Sequence, residues 1–339
     1  MKSKTIPILC SVAGLLILIL DAKTAVSGAS EGVTLCLTSV IPSLFPFLFL
    51  SQYLTSSLTD VSLPFLRPIG RLLHIPKGSE CLLLTGLLGG YPAGAQCLHT
   101  AWSDGKIDIS TTRRMLGFCN NAGPAFLFGI LSSAFSSGST IWALWLIHIV
   151  SALAAGCLLP GENNACILPS QNAPLSPVRA LERVVKSMGL ICGWIVLFRV
   201  LLTFCNRWFL WIFPTSVHIA INGLLELTIG CTALPYVNPE GLRMILCSGL
   251  LALGGVCITL QTVSVMGNVG LGSYIQGKLM QGCFSVSLAA LFQHYYLSPD
   301  QRAAFPLVIA GVLLVIPVFL SIFLQKHEKK NSNLACSAL

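Results

Sequence analysis

The sequence predicts an all-α, polytopic transmembrane helical bundle made of two related halves, each with a broken or re-entrant helical segment. Three observations lead there. Of 339 residues, 9% are charged and 54% hydrophobic, with a mean hydropathy of +0.81, whereas a soluble domain carries roughly a quarter charged residues. Apolar runs of about 20 residues, the length that crosses a hydrocarbon core, recur along the chain. A glycine-rich motif also occurs twice, at corresponding places in the two halves.

Composition excludes other classes. The apolar content excludes disorder, and the net charge of +8 comes from 20 Lys and Arg scattered through short connections rather than gathered on one face. Lipid is therefore the expected partner and nucleic acid is not. A GxxxxGK[ST] phosphate loop, an HExxH pair and a tight set of His, Cys and carboxylates are all missing, so the chain reads as a non-enzyme with no catalytic residue, cofactor or metal. The 14 cysteines show no CxxC pair. Cys36, Cys81, Cys97, Cys231, Cys247 and Cys257 are among those in apolar runs, where a free thiol packs as a small hydrophobe.

Taken in order, residues 5–20 follow Lys2 and Lys4 and read as an uncleaved signal anchor, with 1–34 as anchor helix and amphipathic connection. Full crossings are expected at 35–56, 115–136, 139–159, 188–213, 216–234, 272–295 and 303–324, and interrupted runs at 78–100 and 241–270. The first half spans 35–159, a polar loop and interfacial helix 160–187, the second half 188–295, the last transmembrane helix 296–325 and a basic cytoplasmic tail 326–339. In the central connection Ser176-Pro177 offers an N-cap and a first-turn proline, and Val178, Leu181, Val184, Val185 and Met188 form one stripe of a short interfacial helix. Lys2 and Lys4, with Lys326, Lys329 and Lys330, favour both termini on the cytoplasmic side.

The repeat reads LTGLLGGYPAGAQ from Leu84 to Gln96 and CSGLLALGGVCITLQ from Cys247 to Gln261. Each copy has Gly-Leu-Leu, a Gly-Gly pair (Gly89-Gly90; Gly254-Gly255) and a Gln six residues after the second glycine. Each glycine weakens a helix by about 1 kcal/mol relative to Ala. Pro92 deletes one N–H and turns Tyr91 away from helical geometry, so the first helix is expected to break between Gly89 and Gly94. In hydrocarbon such a break survives only against protein or a water-filled cavity, and paired interruptions point to a transporter site. The second copy lacks proline and suits close helix packing equally well.

Downstream, FCNNAGPAFLFG places Asn120 and Asn121 next to Gly123-Pro124 at the start of an apolar run, combining amides with free backbone. Arg199 lies about 16 Å into its run at 1.5 Å per residue, and Glu226 lies within another, four residues after Asn222. Charges at such depth are functional candidates. Either the two neutralise each other, or Arg199 meets an anionic substrate while Glu226 takes a coupling proton or cation. His148 reads as a neutral hydrogen-bonding group, and Arg113 and Arg114 as solvated charges at the membrane edge.

Three blocks, IPSLFPFLFLSQYL (41–54), TGLLGGYPAGA (85–95) and RRMLGFCNNAGPAFLFG (113–129), resemble the YlbJ-type sporulation integral membrane proteins, which are built from nucleoside-recognition "gate" domains. The second half is more distantly similar around 224–230 and 253–261. The resemblance implies two gate-like halves and a transporter that moves dipicolinic acid from the mother cell across the outer forespore membrane. It carries to Gly89, Gly90, Tyr91, Pro92, Gly94, Asn120, Asn121, Gly123, Pro124 and Glu226. Gln96, Arg199, Gly254, Gly255 and Gln261 complete the expected substrate site on the physical argument alone. A nucleoside or nucleobase carrier and a non-transporting scaffold for spore assembly remain as alternatives.

Overall fold

The computed structural model describes residues 2–58, 63–160 and 176–302, together with 313, 316 and 317. Among these the regular structure is entirely helical. The expected crossing at 303–324 falls almost wholly outside them, as do the tail and most of the polar loop.

The chain opens with α1 (Lys2–Leu20) and α2 (Ala22–Leu35), separated at Asp21, whose carboxylate accepts the Thr24 N–H at 3.3 Å. A π-helical turn at Cys36–Val40 runs straight into α3 (Ile41–Leu58). Residues 21–34, expected as a connection, are thus the first part of a long helix. The reason is tertiary: Gly28 and Gly32 bring α2 against the backbone of Val200 and Val196.

After the short α4 (Arg67–Leu72) come α5 (Glu80–Leu88) and α6 (Ala93–Ser103). These two fold back on each other, because Cβ atoms added at Gly86 and at Gly94 would both meet the Cys119 carbonyl oxygen, at 2.1 and 1.9 Å. The interrupted run 78–100 is therefore a helical hairpin turning at Gly89–Pro92.

The expected crossing 115–136 is broken. Helix α7 (Ile109–Leu116) stops, residues 117–123 are irregular, and α8 (Pro124–Phe126) restarts at Pro124 and passes into π- and 3-10-helical turns up to Ala134. Gly123-Pro124 sets this restart, as proline at a first helical turn should. Then α9 (Gly138–Leu158) runs uninterrupted.

Helix α10 (Pro177–Trp208) begins as expected, with Ser176 accepting the Arg179 N–H at 3.4 Å, but continues for 32 residues. The stretch expected as a separate interfacial helix is thus the first part of α10. Its buried stripe is Ala180, Val184, Met188, Ile191 and Ile195, while Val178, Leu181 and Val185 face outward.

The run 216–234 is also divided, into α11 (Thr215–Leu225) and α12 (Leu227–Ala233). They fold back tightly, a Cβ at Gly230 lying 2.2 Å from the Gly223 Cα. Next, α13 (Glu240–Leu253) and α14 (Gly255–Met266) are interrupted only at Gly254 and Gly255, with φ of +74° and +80°. Helix α15 (Gly272–Tyr296) packs against α13 and α9.

Among the described residues four helices are long and apolar enough to cross a membrane: Ala22–Leu50, Gly138–Leu158, Pro177–Trp208 and Glu240–Val269. Their outward faces carry large apolar side chains, including Val26, Trp142, Leu146 and Leu197, a continuous apolar exterior suited to lipid. Helix α15 is long enough, but its buried face is polar.

Gly94→Ala and Gly277→Ala, whose new methyls would lie 1.9 and 2.3 Å from carbonyl oxygens, should each cost about 1–3 kcal/mol or more through overpacking. Gly193→Ala, in open space within α10, should be neutral or gain up to about 1 kcal/mol. Thermal denaturation of the purified variants in detergent measures the contrast.

Candidate functional site

The interruptions meet one another. At the turn of the α5/α6 hairpin Gly90 has φ +80°, and a Cβ at Gly123 would lie 2.8 Å from its backbone. Tyr91 leans over Gly254, whose hypothetical Cβ is 3.1 Å from the phenol oxygen, and the Tyr91 hydroxyl donates to the Leu251 carbonyl at 3.1 Å. Gly255 sits against the carbonyls of Gly223 and Leu224 at the end of α11. Glycine is needed at these points because any side chain would separate backbones that satisfy or shield each other.

Side chains complete the junction. Asn120 accepts the Ala95 N–H at 3.3 Å and donates to the Thr262 hydroxyl at 3.0 Å, linking the first turn of α6 to α14. Asn121 donates to the carbonyls of Phe118 (2.7 Å) and Gly86 (3.4 Å), which turns its oxygen the other way. That oxygen receives Lys278 Nζ at 3.0 Å and Gln281 Nε2 at 3.0 Å. Lys278 also donates to Gln281 Oε1 at 2.8 Å and to the Tyr91 hydroxyl at 3.1 Å. Its ammonium lies 5.1 Å from the Tyr91 ring centre and 5.9 Å from that of Tyr274. His148 accepts the Ala122 N–H through Nε2 at 3.2 Å, and its carbonyl receives Gln281.

Lys278 is 3% exposed and makes no ion pair among the described residues. A charge so buried is costly unless hydrogen-bonded, and here each of its three N–H groups has a neutral oxygen. Tyr91, which Lys278 contacts, also stands in the wall of a cavity of about 40 Å³ lined in part by Gly123, Glu226, Thr228, Ile258 and Gln261, with space for a few water molecules; Lys278 itself is not part of that wall. The Glu226 carboxylate, 2% exposed, accepts the N–H groups of Thr228 at 3.1 Å and Ile229 at 2.7 Å, capping α12. Extended backbone at Glu226 is what makes that cap possible.

Of the residues singled out in the sequence, Gly90, Tyr91, Asn120, Asn121, Gly123, Gly254 and Gly255 meet at this junction. Glu226 and Gln261 line the cavity, Gly89 and Pro92 flank the hairpin turn, Gly94 packs on Cys119, and Pro124 opens α8. Two residues lie elsewhere. Gln96 bonds Gln52 and Ser187 on α3 and α10. Arg199 makes an ion pair with Glu31 of α2 through both Nε and Nη2; its charge also acts on the Glu226 carboxylate, without direct contact. Asn222 and Glu226 share a helical face only up to the break between them.

Arg114, expected at a solvated edge, is buried and donates to the carbonyls of Gly156 (3.0 Å) and Leu159 (3.2 Å) at the end of α9, where a cation complements the unsatisfied helix end. Lys278 and Gln281 were not singled out by the sequence reading. The signal was present, as a lysine at mid-run of 272–295 with glutamine three residues on, one helical turn away. No group of three potential metal ligands occurs among the described residues. Comparison with protein-family models, curated proteins and solved structures finds no match for the chain.

Charge reversal tests the peripheral pair. Glu31→Arg and Arg199→Glu should each lower the amount of folded protein recovered from membranes, and the double reversal should restore most of it, as judged by monodisperse yield on size exclusion. Three low yields would mean that the pair does not join α2 to α10.

Proposed function

We propose that the chain is a secondary or facilitated membrane transporter for a small organic anion and performs no catalysis. The observation that carries this reading is the Lys278 amine, buried among three neutral oxygens and without an acidic partner among the described residues, where four interrupted helical segments meet. The one carboxylate of the cavity wall, Glu226, is engaged by the amino end of α12. Helices α8 and α14 begin nearby without a side-chain cap, and helix amino ends favour negative charge. The local field therefore suits an anion, and the mostly apolar wall suits a planar ring.

A two-half design is supported by the order of elements. Hairpin, broken helix and long helix occur as α5/α6, α7/α8 and α9, and again as α11/α12, α13/α14 and α15. In this register the two Gly-Leu-Leu motifs are not equivalents, since one closes a hairpin and the other interrupts a helix. Each half would place its broken segments at the shared centre, as transporters with internal repeats do. A ring-sized anion needs a wider cavity than this one, and separation of the hairpins from the irregular stretches they touch would provide it.

The sequence resemblance supports dipicolinate as the substrate and the outer forespore membrane as the location. Nucleoside or nucleobase transport is the second reading, favoured by the hydrogen-bonding groups of Gln261, Thr228 and Glu226 in an otherwise apolar wall.

Proteoliposomes containing the protein should take up labelled dipicolinate, with excess unlabelled dipicolinate competing and uracil or uridine not. The opposite competition pattern would favour the second reading, and absence of uptake for every solute would overturn both. Gly90→Val, which forces a β-branched residue to φ +80°, should lower uptake at least about tenfold, given roughly 2 kcal/mol or more of backbone strain, with protein still in the membrane.

A further inference from the structure

The surroundings of Lys278 are those of a small cation rather than of an ion-paired lysine. Three oxygens, all neutral, lie 2.8 to 3.1 Å from Nζ. They come from the α5/α6 turn (Tyr91), the irregular stretch before α8 (Asn121) and α15 itself (Gln281), and the faces of Tyr91 and Tyr274 flank the ammonium. Neutral oxygens presented by interrupted helices are what a transported-ion site offers to a monovalent metal cation. In this protein the position is filled by a charge that is covalently attached to the chain. Asn121 is held oxygen-first by two carbonyls, so the oxygen set is oriented toward a cation by contacts independent of the lysine.

We propose that the Lys278 ammonium is a tethered cation occupying the place of a coupling cation, holding the α5/α6 turn, the 117–123 stretch and α15 together without a dissociable ion. Its consequence for transport, that substrate movement needs no sodium or potassium ion, rests on the reading of the chain as a transporter; the occupancy of the cation place does not. Removing the side chain beyond Cβ creates a vacancy with its oxygens still aimed inward. Propylammonium replaces the deleted atoms one for one, and sodium replaces the charge alone.

The experiment is a thermal-stability series on the full chain in detergent at constant ionic strength, with N-methylglucamine as the inert cation. Lys278→Ala should melt well below the wild type and regain about 3 °C or more of Tm with propylammonium or sodium, as expected for a ligand that binds only the folded state. Lys278→Met, which fills the vacancy with apolar atoms, should not respond, and the wild type should be indifferent to the choice of cation. Indifference of Lys278→Ala to every monovalent cation would overturn the proposal. So would a wild type that needs sodium or potassium for stability, a measurement that decides the matter even if Lys278→Ala yields no folded protein. Proteoliposomes that carry no solute would remove the transport reading and leave this stability result standing.

Discussion

A helix interrupted inside an apolar body exposes amide and carbonyl groups that neither lipid nor aliphatic side chains can satisfy. Among the described residues such places occur at 89–92, 117–123, 226 and 254–255, and the fold gathers them so that each is closed by another. Gly90 lies against Gly123, Gly255 against the end of α11, and Tyr91 over Gly254. Asn120 takes the Ala95 N–H of a neighbouring segment, while Glu226 caps the helix that follows it. Isolating any one interruption would leave orphan backbone groups, so their positions in the fold are mutually dependent. The arrangement of the long helices follows from this, with α13 and α9 packed around α15.

Charge is distributed by the same logic. Arg199 and Glu31 meet between α10 and α2, joined further along by Arg207 and Asp21 at 3.2 Å. Both pairs lie where side chains retain some exposure, and they align two helices more than they drive folding. Lys278 differs, being enclosed and matched only by neutral oxygens. Glu226, in the cavity wall, is bound by the amino end of α12, whereas Lys278 reaches that wall only through Tyr91.

Local chemistry explains where sequence reading and structure agree. The Ser176-Pro177 start of α10, the restart at Pro124 and the break between Gly89 and Gly94 depend on proline and glycine constraints that act within a few residues. The break inside 216–234 was missed because nothing in that apolar run distinguishes a straight helix from one folded back on itself. For 216–234 the deciding contact, Gly223 on Gly230, is between residues seven apart that a straight helix would keep a full two turns from each other. The stripe of Val178, Leu181, Val184, Val185 and Met188, expected on a short interfacial helix, splits into buried Val184 and Met188 and outward Val178, Leu181 and Val185 for a related reason. Where lipid faces one side and protein the other, both faces are apolar and periodicity cannot separate them.

The sequence by itself determined the helical class, the suitability for a membrane and the glycine, proline and asparagine positions at which the chain departs from helix, because each follows from composition or from backbone restrictions local to a residue. Only the tertiary structure decided which departures face each other, that Arg199 pairs directly with Glu31, and that Lys278 is buried against Tyr91 and Asn121. Those outcomes depend on partners 157 to 187 residues away in the chain, chosen by close backbone approach at glycines and by the need to satisfy buried polar groups, and neither is written in the pattern of any single segment.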